Sequence, residues 1–252
     1  MQTLSTGSMM GLKPTRIPIN TDPYWANVVL LASFDGADAA TSYTEKSNSA
    51  LSATFFNSAA LDTAQSVFGS ASLELDNATN DYVTFPSGDG WDFGSGDFTV
   101  EFRIRWVADP GASTIGIIGH FINSAGNQGW EIALVSNNLR FVWSEEGTVN
   151  AWPVDNAWNP AVDTWYAVAV VRSVDDIYMF IDGTQIGTTQ NMVAIAGDSN
   201  IFDANQPLDV GRLNHSGVPL EVDGWLDEIR ITKGVARYTA NYDVATGPFP
   251  TS

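Results

Sequence analysis

An all-β fold of two antiparallel sheets packed face to face is predicted by three features of this 252-residue chain. Short apolar runs recur at close intervals between turn signals. Where a run is long enough to show a period, that period is two residues, and no long stretch repeats at the 3.6 residues of a helix. Aromatic residues make up 12% of the chain and include nine tryptophans, which suits strands and a thick two-layer core. A hydrophobic content of 44% can bury one large core, and sandwiches of this length commonly form a single domain.

Residues 1–22 read as an extended N-terminal arm. They are rich in Ser, Thr and Gly, are interrupted by Pro14 and Pro18, and end in Asn20-Thr21-Asp22-Pro23. The sandwich is assigned to residues 23–252. Val28 to Phe34 is nearly all apolar and closes in Asp35-Gly36, as expected of a strand buried on both faces. Ser72 to Leu75 and Tyr82 to Phe85 flank a polar turn. Phe98 to Trp106 alternates most cleanly: Phe98, Val100, Phe102, Ile104 and Trp106 face one way, and Thr99, Glu101, Arg103 and Arg105 the other. Further strands are predicted at Ile115 to Phe121, Trp130 to Val135, Leu139 to Trp143, Tyr166 to Arg172, Ile177 to Ile181, Gln185 to Thr189, Pro207 to Gly211 and Trp225 to Thr232. Asp182-Gly183 suits the positive φ angles of a type I′ hairpin turn, and Ser136-Asn137-Asn138 links another strand pair. Trp152-Pro153 and Asn159-Pro160 predict irregular structure around Trp152 and Trp158.

The charge balance excludes some partners. With 29 acidic against 11 basic residues the net charge is −18, a surface that repels phosphate backbones, so no nucleic-acid partner is expected. No cysteine is present, which removes disulfides, thiolate metal sites and a Cys nucleophile. The first 22 residues lack the apolar core of a signal peptide, and no window approaches eighteen apolar residues, so no membrane span is expected.

The order of several short blocks resembles the laminin-G-like (LamG) domains of bacteriophage virion and tail proteins, within the concanavalin A-like lectin/glucanase superfamily. The blocks are Asp22-Pro23-Tyr24-Trp25 with Phe34-Asp35-Gly36, Phe68 to Asp76 with Asp81-Tyr82-Val83, and Phe93 to Phe102. Trp165 to Val168 with Phe180 to Gly183 follows, then Gly224 to Thr232 with Ala236 to Ala240. The resemblance implies a concanavalin A-like jelly roll and a non-catalytic structural role in a virion, as a capsid decoration, fibre or tail module. Its partners would be other virion subunits, engaged through the arm in an oligomer or larger assembly. The alternative it carries is an extracellular adhesin that binds host-surface glycans.

The resemblance also implies a structural calcium ion joining the first strand's end to the last strand, with Asp35 and Asp227 in the corresponding positions; Asp76 and Asp81 are weaker candidates. Calcium takes six to eight oxygens, mixing carboxylates and carbonyls. Whether Asp227 shares the direction of Trp225 or is reversed by a bulge, the alternation leaves open. Glycoside hydrolysis, known for this superfamily, needs two facing carboxyl groups. Glu221-Val222-Asp223 supplies two acids, but Trp225 and Leu226 stand where the third would be, and Glu145-Glu146 point to opposite faces of a strand. His120 and His215 lie in no nucleophile motif. For glycan binding, aromatic rings stack on sugar faces while polar groups meet the hydroxyls. Trp152 and Trp158 beside Asp155 and Asn156 are the candidates.

Overall fold

The computed structural model describes residues 21–111, 113–122, 124, 126–148, 151–214 and 221–252. A turn of 3-10 helix, Trp25–Asn27, leads into β1 (Val28–Ala32), β2 (Tyr43–Thr44), β3 (Ser52–Phe56), β4 (Ala60–Asp62), β5 (Ser72–Leu75) and β6 (Tyr82–Phe85). The long strands follow: β7 (Phe98–Trp106), β8 (Thr114–Phe121), β9 (Gln128–Val135), β10 (Asn138–Ser144), β11 (Ala151–Ala157) and β12 (Trp165–Ser173). The chain closes with β13 (Asp176–Ile181), β14 (Thr184–Gln185), β15 (Gln190–Asn191), the short helix α1 (Met192–Ala196), β16 (Leu208–Val210) and β17 (Gly224–Lys233).

These strands form two antiparallel sheets. One has nine strands along the path β14-β13-β12-β7-β17-β5-β4, with β1 also on β17 and β15 on β13; the other has eight, ordered β11-β10-β9-β8-β16-β6-β3-β2. The inward residues of β7 meet those of β9 and β10 across the layers. Phe93 stacks on Phe98 at 4.3 Å and on Trp130 at 5.0 Å, while Phe98 and Phe141 lie 5.6 Å apart. Asp182 (φ 49°) and Gly183 (φ 74°) make the expected primed turn, as do Ser136 (φ 50°) and Asn137 (φ 61°). The predicted strand from Gln185 to Thr189 is broken: only Thr184–Gln185 pairs there, and Gln190–Asn191 pairs further along β13.

Trp152 is not in irregular structure, as its neighbouring proline suggested, but in β11 at the edge of the eight-stranded sheet. A proline is tolerated on an edge strand because no further strand needs its missing N–H.

Past β17 the chain turns back and lies, without regular structure, over the outer face of the nine-stranded sheet. Tyr238 and Tyr242 stack at 3.6 Å and meet Phe180 edge-on, above Ala169 and Val171. Further on, Arg103 donates to the Ala245 carbonyl, Phe249 lies 3.7 Å from the Arg230 guanidinium, and the Asp22 N–H donates to the Ser252 carbonyl. Beneath this strap four charges are sealed from water. Arg230 pairs with Asp22 at 3.0 Å and Glu101 at 2.8 Å, Arg237 pairs with Asp22 at 2.7 Å, and the Tyr238 hydroxyl donates to Glu101. Burial opposes the charge on Asp22, but Arg237, the Tyr24 N–H and Arg230 outweigh it and hold the carboxyl below its usual range.

Replacing Arg230 by Ala removes one of the cluster's two guanidiniums, leaving Asp22 with Arg237 and Glu101 with the Tyr238 hydroxyl. We expect a loss of about 3–5 kcal/mol, the cost of breaking a buried ion pair, read from the urea unfolding midpoint. A surface pair such as Arg140–Asp155, half open to solvent, should cost about 1 kcal/mol or less in the same assay.

Candidate functional site

A β-bulge resolves the direction of the acidic pair in β17. The pairing with β7 slips between Asp227 and Arg230, and Glu228 takes φ 47°. The Asp227 side chain accepts from the N–H groups of Val67 at 2.9 Å, Phe68 at 3.4 Å and Glu228 at 2.7 Å. Asp35 grips the other end of the same loop, accepting from the Ser70 N–H at 2.7 Å, the Ser33 hydroxyl at 2.8 Å and the Lys46 ammonium at 2.7 Å. The two candidate calcium ligands therefore hold the loop of residues 67–70 from either side. Each carboxylate is already engaged by donors, and Lys46 supplies the positive charge beside Asp35. As placed, this donor set does not fit a shared calcium ion, and among the described residues no three His, Cys, Asp or Glu side chains form a metal-sized group. Asp81 accepts from the N–H groups of Ser58 and Asp76, and Asp76 from that of Ala78.

Glu228 turns the other way, accepting from the Phe249 N–H at 2.9 Å. With Ser33, Asp35, Lys46 and residues 248–252 it lines a cleft of roughly 350 Å³. Burial raises the Glu228 carboxyl above its usual range, an effect the Phe249 N–H and Lys46 reduce.

The four candidate glycan-binding residues do not form one surface. Trp152, Asn156 and Trp158 face inward, and Asp155 faces outward, because all lie on or just beyond a strand whose sides alternate. Trp158 is 7% exposed, packs edge-on against Tyr166 at 5.5 Å, and its N–H donates to the Asn137 carbonyl. Asp155 is held by Arg140 through two hydrogen bonds of 2.6 and 2.7 Å. Trp152 alone reaches a surface hollow of roughly 130 Å³, beside Glu145, Glu146 and Thr148.

His120 is fully buried in β8 and accepts the Gln206 N–H at Nε2; burial lowers its pKa, so it stays neutral. His215 lies outside the described residues. On the outer face of the eight-stranded sheet, Glu131 and Asp209 flank Gly119 in register. Both are buried, and Asp209 is held by Arg212 at 3.2 Å. Burial raises its carboxyl, which Arg212 partly offsets. Glu221 is buried beside Arg212, and its neighbour Asp223 is half-buried.

One aromatic cluster escaped the sequence reading. Trp165, Arg105 and Trp225 are direct cross-strand partners on β12, β7 and β17. The Arg105 guanidinium lies 4.8 Å from the Trp225 ring and bonds Asp163 at 2.9 Å, and the Trp225 indole N–H donates to Asp62 at 2.8 Å. Trp225 was visible in the sequence as a strand residue and Trp165 as the residue just before one. The register that sets them on either side of one arginine was not.

The chain belongs to the concanavalin A-like lectin/glucanases superfamily, since the Laminin_G_3 family profile matches residues 77–237, more than half its length. No characterised protein matches it by sequence. Among solved structures it is similar to the binding domain of Paraclostridial mosquitocidal protein 1, with TM-score 0.65 and 14% identity over 84% of this chain and 50% of that one. It is also similar to the binding domain of botulinum neurotoxin DC, solved in complex with rat synaptotagmin II, with TM-score 0.61 and 15% identity over 84% and 49%. A third is a botulinum neurotoxin type C structure described as depending for cell entry on two ganglioside molecules, with TM-score 0.58 and 14% identity over 84% and 49%. At these identities the likeness concerns the fold, and the chain spans about half the length of each match.

Burial, opposed by the loop N–H groups and reinforced by Glu228, pushes the Asp227 carboxyl up to about 7. The folded protein then retains a proton that the unfolded chain, near 3.8, has released. Its stabilising contribution is complete below pH ~4, declines as pH rises, and is gone above pH ~7. Wild-type protein should lose stability between pH 5 and pH 8 relative to Asp227→Asn. Parallel melting curves for the two proteins would refute this by showing that Asp227 is ionised throughout.

Proposed function

We propose that this chain is a non-catalytic recognition module whose sandwich binds a glycan. One observation carries the reading: five carboxylates of the sandwich are committed to fixed donors. Asp227 and Asp35 are held by backbone N–H groups, and Asp22, Glu101 and Asp209 by guanidiniums. A retaining or inverting glycosidase instead sets two carboxyl groups across an open cleft. The fold it shares with toxin binding domains supports recognition as its role.

Saturable binding to at least one polysaccharide in affinity electrophoresis, with no new reducing ends after prolonged incubation, is the expected result. Release of reducing ends would overturn the non-catalytic part of the reading. Absence of retention across a broad panel would overturn the glycan.

The block order shared with phage virion and tail proteins supports a finer setting, in which residues 1–22 attach the module to a particle. Deleting Met1 to Thr21 leaves Asp22 and its ion pairs in place. The truncated protein should melt as the full chain does but fail to join its assembly, as scored by co-sedimentation. Incorporation at the wild-type level would remove the arm from that role.

A further inference from the structure

The strap that covers the outer face of the nine-stranded sheet stops short of one end. Its last contact along β7 is the bond from Arg103 to Ala245. Two residues on, the strap no longer lies over the face, and there the register sets Glu74, Trp225, Arg105 and Trp165 side by side across β5, β17, β7 and β12. Alternation sends all four outward: their neighbours Leu73, Leu226, Ile104 and Tyr166 belong to the inner core. Both tryptophans are half-buried, and neither packs against a hydrophobic cluster of the sandwich. Strands lie about 4.8 Å apart, so the two indoles rise from backbones separated by about 10 Å.

We infer that this row is a binding platform for an extended neutral glycan, running across the strands with sugar faces stacked on Trp165 and Trp225. The inference rests on the glycan-binding reading above and assigns it a place and a ligand class. A pyranose presents an apolar C–H face and a rim of hydroxyls, and the platform matches both. The indoles are flat apolar surfaces held in position, Trp225 between Arg105 and Asp62, while Asp163, its side chain 68% exposed, and Glu74 offer acceptors at the margin. Trp165 Nε1 has no partner among the described residues and is not buried, which leaves a donor facing the ligand. Val107 and Val162, 46% and 41% exposed, continue the apolar surface at the end of β7 and before β12.

Charge selects the class. Asp62, Glu74 and Asp163 around the row, in a chain of net charge −18, repel sulfated, sialylated or phosphorylated ligands. The same charges oppose a second copy of this chain, which would bring these carboxylates face to face. A neutral chain of hydroxyls meets no such penalty.

The test titrates the full chain with cellohexaose, mannohexaose and chitohexaose, with a heparin hexasaccharide as the anionic comparison. At least one neutral chain should bind, insensitive to salt, and shift the indole N–H signals of Trp165 and Trp225 in the unmutated protein. Trp165→Ala and Trp225→Ala should each weaken binding by about tenfold, the scale of one stacked ring, with melting curves confirming that they fold. Shifts confined to Trp152, or lost only in Trp152→Ala, would overturn the platform and leave glycan recognition standing. Heparin binding in preference to the neutral chains would overturn the ligand class. A dimer in sedimentation that Trp165→Ala dissociates would make the face a protein interface and overturn the proposal. Failure of every sugar to bind the unmutated protein would sink the broader reading as well.

Discussion

Arg230 points outward from the last strand onto a sheet face that is closed to water, and a guanidinium there is tolerable only if carboxylates meet it. Asp22 comes from the start of the described chain, Glu101 from the central strand β7, and Arg237 and Tyr238 from the strap that follows β17. The cluster thus joins segments more than 200 residues apart at one charge-balanced point. Its two acids and two arginines fix where the strap begins, and the Asp22–Ser252 backbone bond fixes where it ends. Remove Arg230 and Arg237 alone is left to balance two buried anions, so the path of the strap depends on this side chain.

That path divides the outer face of the nine-stranded sheet. Over Glu101, Ala169 and Val171 the strap makes the sandwich locally three layers deep, with stacked tyrosines on top. Beyond Arg103 the strap no longer covers the sheet, and Trp165 and Trp225 are half-buried there. Tyr238 and Tyr242 of the covered zone pack against the sheet, whereas Trp165 and Trp225 lie beyond the strap. The same fold places Trp158 and Trp143 inside, where their area contributes to the core instead.

The bulge at Asp227–Glu228 has a comparable sorting effect. It lets two adjacent acids of one strand serve two different segments: Asp227 ties down the loop of residues 67–70, and Glu228 caps the returning C-terminal segment at Phe249. With Lys46 on Asp35, the acids nearest the junction of the first and last strands are occupied by donors from the chain itself. Their chemistry is that of structural fasteners.

Much of this fold was legible in local pattern. Phe98 to Trp106 shows its two faces by alternation alone, and Asp182-Gly183 carries the positive φ angles of its turn in its residue types. The blocks from Phe34-Asp35-Gly36 to the closing strand were enough to indicate the superfamily. The short strands β2, β3 and β4, at or next to the sheet edges, were not legible; nor was β11, where Pro153 masked a strand that only its edge position permits. The candidate site was less legible still. Trp152, Asp155, Asn156 and Trp158 are close in sequence, but alternation and packing send them to different surroundings. Trp165, Arg105 and Trp225 are far apart in sequence, and only cross-strand register makes them neighbours. Sequence alone therefore determined which residues can lie in strands and which of their faces are apolar, since these follow from local stereochemistry and hydrophobicity. Tertiary structure decided which faces are covered, because the strap's course is set by a buried charge cluster assembled from both ends of the chain.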